Sequence, residues 1–221
     1  MMRDRAEAGK RVGEMLAAYE DHADVIVLAL PRGGVPVAYE IARRLRAPLD
    51  VYLVRKLGVP GHEELAMGAV ASDGTCIVDR ELVESLGIDE AALGEVVRRE
   101  MEELRRRERA YRDARPQPDI SGKIVIVVDD GLATGATMRA AATALRRRDP
   151  AAIVVAVPVA AARTRASLES IVDRVVCPFT PEPFHAVGLY YANFEQTSDD
   201  EVRRLLIAAA AAGETGRPIS A

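Results

Sequence analysis

Two adjacent carboxylates, Asp129 and Asp130, end an apolar run, Ile124-Val-Ile-Val-Val128, and directly precede Gly131-Leu-Ala-Thr-Gly-Ala-Thr137. Side by side, the acids can accept hydrogen bonds from vicinal hydroxyls. The residues after them can wrap an anion. Gly135 lets the backbone come close, Thr134 and Thr137 add hydroxyl donors, and the start of a helix leaves N–H groups without partners. Acceptors beside an anion cradle suit a sugar phosphate. The apolar run reads as a strand buried on both faces, as in a parallel sheet. Ligands of such sheets lie beyond the carboxyl ends of the strands, which is where the two acids fall.

A second unit of this kind precedes it. Val25-Ile-Val-Leu-Ala-Leu30 reads as a buried strand, Pro31-Arg32-Gly33-Gly34 as a loop, and Val35, Ala38, Ile41, Ala42 and Leu45 as a helix face with Pro36 in its first turn. The loop offers more backbone donors, here with Arg32 as a fixed cation. Asp50 to Val54 predicts a third strand. The Gly and Pro residues of Arg55-Lys-Leu-Gly58-Val-Pro60-Gly61-His62-Glu-Glu64 predict a mobile loop. Gly68 to Val78, turning at Asp73-Gly74, predicts a hairpin. Only three lysines, Lys10, Lys56 and Lys123, stand among the 30 Lys and Arg residues. Lys56 beside Arg55 is therefore a candidate compact point charge.

The stretch Val127 to Thr137 resembles the phosphoribosyl-pyrophosphate (PRPP) motif of type I phosphoribosyltransferases. One departure is Gly131, where that family usually carries an aliphatic residue; weaker local packing is expected there. The resemblance implies transfer of ribose 5-phosphate from PRPP to a nucleophile, usually a ring nitrogen, with release of pyrophosphate. It makes Arg32, Lys56, Asp129 and Asp130 the catalytic candidates. The implied PRPP contacts are Arg32, Gly33, Gly34, Arg55, Lys56, Asp129, Asp130, Gly131, Ala133, Thr134, Gly135, Ala136 and Thr137. Mg²⁺ is the implied cofactor, carried by PRPP near Asp129 and Asp130 rather than held by a protein ligand set. The loop Arg55–Glu64 is expected to close over bound PRPP. Ala133 stands where enzymes acting on 6-oxopurines place an acid, which argues against hypoxanthine or guanine without choosing another acceptor. The expected setting is nucleotide metabolism in the cytoplasm.

The alternation of strand and helix continues through Ala152–Val157, a helix over Ala161–Ile171, and Val175–Cys177. It predicts one domain over 1–221, α/β, doubly wound on a mostly parallel sheet in three α/β/α layers. The family resemblance adds an antiparallel edge strand. An amphipathic helix over Arg3–Tyr19 would bury Ala8, Val12, Met15, Leu16 and Tyr19. Residues 79–118 read as an inserted Glu/Arg-rich helical segment ending at Arg115-Pro116, with a thin stripe of Leu93, Val96, Val97, Met101, Leu104 and Tyr111. Its interleaved charges predict a solvated face, and its stripe would pack on the core or on a second subunit, leaving a homodimer open. Residues 178–197 hold most of the aromatics and lie where a hood over the site would be. Phe184 and His185 there could meet the acceptor, or the aromatics could be the core of a small subdomain. Ser198 opens a last helix with Val202, Leu205 and Leu206 inward, and the tail from Gly213 to Ala221 is expected to fray.

Net charge of −4 argues against nucleic acid as a partner, and no apolar run reaches membrane-spanning length. Cys76 and Cys177 are too few for a disulfide framework or metal cluster. A Walker nucleotidase would need Gly-x-x-x-x-Gly-Lys-Ser/Thr, and a dinucleotide site would need Gly-x-Gly-x-x-Gly after a strand; neither occurs. The alternative that survives is a non-catalytic PRPP-binding regulatory protein, which could keep the acids and phosphate loop while losing the flexible-loop cation; Arg32, Arg55 and Lys56 are all present here, which favours the enzyme.

Overall fold

The computed structural model describes residues 1–112 and 116–215, with side chains to residue 212. In chain order the elements are α1 (Arg5–Met15), β1 (Val25–Ala29), α2 (Gly34–Leu45), β2 (Leu49–Val51), β3 (Val54–Val59), β4 (His62–Ala71), β5 (Cys76–Val78), α3 (Arg80–Ser85), α4 (Glu90–Arg112), β6 (Ile124–Val128), α5 (Ala136–Arg146), β7 (Ala152–Ala156), α6 (Ala162–Leu168), β8 (Arg174–Val176) and α7 (Asp199–Thr215). Five strands form the main sheet in the order β2-β1-β6-β7-β8. All four pairings are parallel.

Successive strand residues point to opposite faces, and here both faces are apolar. Val25, Val27 and Ala29 of β1, with Ile126 and Val128 of β6, face one core shared with α1, α2, α4 and α7. Ile26 and Leu28, with Val125 and Val127, face a second core closed by Met138, Ala141 and Leu145 of α5 and Leu168 of α6. Helices on both sides of the sheet make the three α/β/α layers that the alternation predicts. Fully burying a Val or Leu side chain is worth about 1.5–3 kcal/mol. The paired runs therefore hold β1 and β6 rigidly, and their carboxyl ends carry the site.

Three local expectations need correction. Val54–Val59 and His62–Ala71 are antiparallel strands of a separate three-stranded sheet, β3-β4-β5, not a mobile loop. The Gly and Pro residues that suggest a loop are its turn and bulge. Gly61 has φ +77°, and a Cβ on Gly58 would lie 2.7 Å from the Glu63 carbonyl oxygen, where the ladder shifts register. Antiparallel pairing between named strands is confined to this small sheet rather than placed at an edge of the large one. The inserted segment is helical as expected, in two helices broken at Gly87 (φ +63°) and restarted by Asp89, whose side chain accepts from the Ala92 N–H. It packs on the first core of its own chain. Helix α1 stops at Met15, which is exposed, while Leu16 turns inward. The segment's expected end at Arg115 lies outside the described residues. Helix α7 continues to Thr215, and the expected fraying beyond it also falls outside them.

Candidate active site

Strand β6 delivers Asp129 and Asp130 to its carboxyl end, and the loop after β1 comes up against them. A Cβ on Gly33 would lie 2.0 Å from Oδ2 of Asp130, and one on Gly34 would lie 2.6 Å from the Val128 carbonyl oxygen. The two glycines are thus needed for close approach, beyond any donor role. The Gly34 N–H is spent on the Leu30 carbonyl at 3.1 Å, so it is not one of the free donors expected of this loop. The Pro31–Arg32 peptide is cis. The Arg32 side chain leans toward Asp199 at the start of α7, 3.7 Å away, which also accepts from the Tyr111 hydroxyl at 2.7 Å.

Both acids have carboxyl groups pushed above the ordinary value. Burial is the main cause for Asp129, with the Asp130 charge second and the Asp130 N–H bond to Asp129 Oδ1 at 2.8 Å opposing. Burial is also the main cause for Asp130, opposed by Arg5. Sequence reasoning missed Arg5. Its Nε donates to Asp130 Oδ2 at 2.8 Å, its Nη1 donates to the Glu195 carbonyl at 2.7 Å, and its guanidinium lies 3.9 Å from the Phe194 ring centroid. The Tyr191 hydroxyl donates to the Asp130 carbonyl at 2.6 Å. Nothing in the local pattern of α1 marks Arg5, because the contact spans 125 positions.

The phosphate loop lies between β6 and α5. The N–H groups of Ala133, Thr134 and Gly135 have no hydrogen-bond partner among the described residues, and Ala133, Thr134, Ala136 and Thr137 are exposed. Gly135 has φ +70°, and a Cβ there would lie 2.5 Å from Thr164 Cγ2. Thr164, also missed from sequence, donates its hydroxyl to the Ala133 carbonyl and braces the loop from α6. At Gly131 the expected weaker packing is not found. Instead, Val187 and Val159 fill the space a side chain would need, 2.6 and 3.0 Å from an ideal Cβ.

Arg55 and Lys56 sit together on β3. With Thr137 they line a cavity of about 350 Å³, completed by Val54, Gly58, Glu63, Arg99 and Glu100. Lys56 pairs across the hairpin with Glu64 at 3.1 Å. Arg55 donates to the buried Glu100 at 2.8 Å. Phe184 lies apart from this cavity. It stacks on Tyr190 (centroids 5.5 Å, 28°) within a small core of Met2, Ala8, Val159 and Tyr191. His185 is exposed. Residues 178–195 and the first residues of the chain are sewn together. The Met2 N–H bonds to the Tyr190 carbonyl, and the Ala192 and Asn193 N–H groups bond to the Met2 and Arg3 carbonyls.

Among the described residues no group of three or more His, Cys, Asp or Glu side chains could hold a metal ion, and no helix is long and apolar enough to cross a membrane. Such a site offers two acids at one end of a sheet, an open N–H loop beside them, and cations across a cavity.

A sequence profile of the phosphoribosyl transferase domain matches residues 4–192. A protein of Mycobacterium tuberculosis, whose name assigns it provisionally to the phosphoribosyl transferases, is 46% identical over 199 residues. The match covers 90% of this chain and 45% of that protein, so the chain spans about half the length of this curated relative. The crystal structure of TT1426 from Thermus thermophilus is 41% identical, superposes with a TM-score of 0.85, and covers 94% of this chain and 98% of its own. AQ2163 from Aquifex aeolicus, at 10% identity and a TM-score of 0.51, covers 92% of this chain and 85% of its own and shares the fold.

Proposed function

The chain belongs to the phosphoribosyl transferase domain family, and from that premise we propose that it transfers ribose 5-phosphate from PRPP to a small nitrogen nucleophile, a nucleobase or related heterocycle, releasing pyrophosphate. The observation that carries this reading is the junction of Asp129 and Asp130 with the open N–H loop Ala133–Gly135. The acids would take the ribose hydroxyls. The loop and the α5 N-terminus would take the 5-phosphate, and the residues around Arg32 and Arg55 the leaving pyrophosphate. As the bond to pyrophosphate breaks, the anomeric carbon becomes cationic and negative charge grows on the leaving group. Fixed positive groups placed there lower the barrier. Mg²⁺ chelated by PRPP beside Asp129 and Asp130 would neutralise further charge on the leaving oxygens. Among the described residues the two acids stand without a third such ligand, an arrangement that suits an ion arriving on its substrate.

PRPP with Mg²⁺ is expected to stabilise the fold. At about a hundred times the dissociation constant the gain is about 2.7 kcal/mol, or roughly 5–10 °C in Tm for a chain of this size. A melting curve unmoved by millimolar PRPP and Mg²⁺ would remove the reading.

Lys56 separates turnover from mere binding. Its partner Glu64 is 99% exposed, so the pair is weak and the ammonium can exchange onto a phosphate. A contact to departing pyrophosphate is strongest in the transition state. Lys56→Ala should therefore lower kcat by about tenfold while PRPP affinity falls much less, read by pyrophosphate release over a panel of bases. Equal losses in kcat and affinity would reduce Lys56 to a steering charge. A wild-type protein that binds PRPP and releases no pyrophosphate with any base would favour a PRPP-binding regulator.

A further inference from the structure

Resting on the transfer reading, we propose that helix α4 is part of the leaving-group site: Arg99, held beside Arg55 on the shared carboxylate of Glu100, binds the pyrophosphate end of PRPP. Most ion pairs along α4 are local. Arg98 pairs with Glu95 and Glu102, and Arg106 and Arg107 with Glu103. Glu100 departs from that pattern. It is 7% exposed, and its two oxygens go to different guanidinium groups, Oε2 to Arg55 Nε at 2.8 Å and Oε1 to Arg99 Nε at 3.2 Å.

A buried carboxylate is costly unless paired. One carboxylate between two arginines leaves a net positive charge. Because Arg55 bonds through Nε, its Nη donors have no hydrogen-bond partner among the described residues. The cavity of about 350 Å³ that these residues line is in the range of small-ligand sites. Its lining carries Arg55, Lys56 and Arg99 against Glu63 and Glu100, an excess of positive charge, and Thr137 of the phosphate loop opens onto it. Val54, Arg55 and Thr137 also line a smaller cavity with Pro31, which ties this wall to the loop after β1. A polyanion attached to a sugar in the Asp129–Thr137 site therefore meets two planar forks suited to phosphate oxygens. The inserted helix supplies one fork and the carboxylate that orients the other.

The test compares PRPP with ribose 5-phosphate, which lacks the pyrophosphate, by titration calorimetry with Mg²⁺. Arg99→Gln, a change on a side chain 57% exposed, should leave apo melting and ribose 5-phosphate affinity unchanged. It should shrink the preference for PRPP over ribose 5-phosphate by about tenfold, the scale of one charge-assisted contact. Arg98→Gln, one position away on the solvent face, should keep the wild-type preference. An Arg99→Gln protein that keeps it too would overturn the proposal and leave the transfer reading standing. A wild-type protein that binds neither sugar phosphate would remove the transfer reading, and this inference with it.

Discussion

Asp129→Asn is expected to make the unliganded protein more stable while weakening its hold on PRPP. The Asp129 carboxyl is pushed well above its ordinary value by burial and by the neighbouring Asp130 charge. The folded state therefore keeps a proton over a pH range in which the unfolded chain has lost it. Stability falls as pH rises through that range, from the ordinary carboxylate value to the raised one, and the loss persists at higher pH. Asparagine carries no charge and retains the Oδ1 acceptor for the Asp130 N–H. Each kcal/mol regained should appear as about 2–4 °C in Tm, with no gain below the ordinary carboxylate value and a growing gain above it. PRPP affinity should drop by about ten- to a hundredfold, the cost of a lost charged acceptor. Scanning calorimetry from about pH 4 to about pH 8, with PRPP titrations on the same protein, tests both halves. An asparagine variant no more stable than the parent at neutral pH would mean that the paired acids impose no strain.

Arg5→Ala is expected to be the most damaging single change at the site. The Arg5–Asp130 pair is nearly buried, with side-chain exposures of 12% and 15%. Removing one partner of such a pair costs about 3 kcal/mol, because the other charge is left without compensation. The cation–π contact with Phe194 and the bond to the Glu195 carbonyl go with it. Asp130→Asn in the same chain removes the stranded charge, so the double variant should be more stable than Arg5→Ala alone. Denaturant unfolding of the four proteins in that cycle measures the coupling. Simple additivity would show that Arg5 acts through packing rather than through Asp130.

What can be read from sequence is whatever is local. The run Ile124–Val128 and its acids are a strand followed by a loop in any context that buries them, and β1 with its Arg32-Gly33-Gly34 loop repeats the signal. What cannot be read depends on distant partners. Arg5 looks like one more polar residue on an amphipathic helix until Asp130 and Phe194 are brought to it. Glu100 sits among alternating charges that suggest a solvated face, yet it is buried. Gly58, Pro60 and Gly61 read as flexibility because a bulged hairpin and a mobile loop draw on the same residues. Fold and phosphate loop are thus local features, whereas the two ends of the site are tertiary ones.

Arg5 is synthesised well before its aromatic seat at Phe194, which follows 189 positions later. At about 5–20 residues per second, this places roughly 10–40 s between the synthesis of a cation and that of the ring on which it rests. During that interval the parallel sheet can assemble around β1 and β6, but the Met2–Tyr190 and Arg3–Asn193 stitches cannot yet form. The acid pair is therefore sealed only once Tyr190 to Phe194 have been made, and a nascent chain stalled before Tyr190 would present a folded sheet with an unfinished pocket.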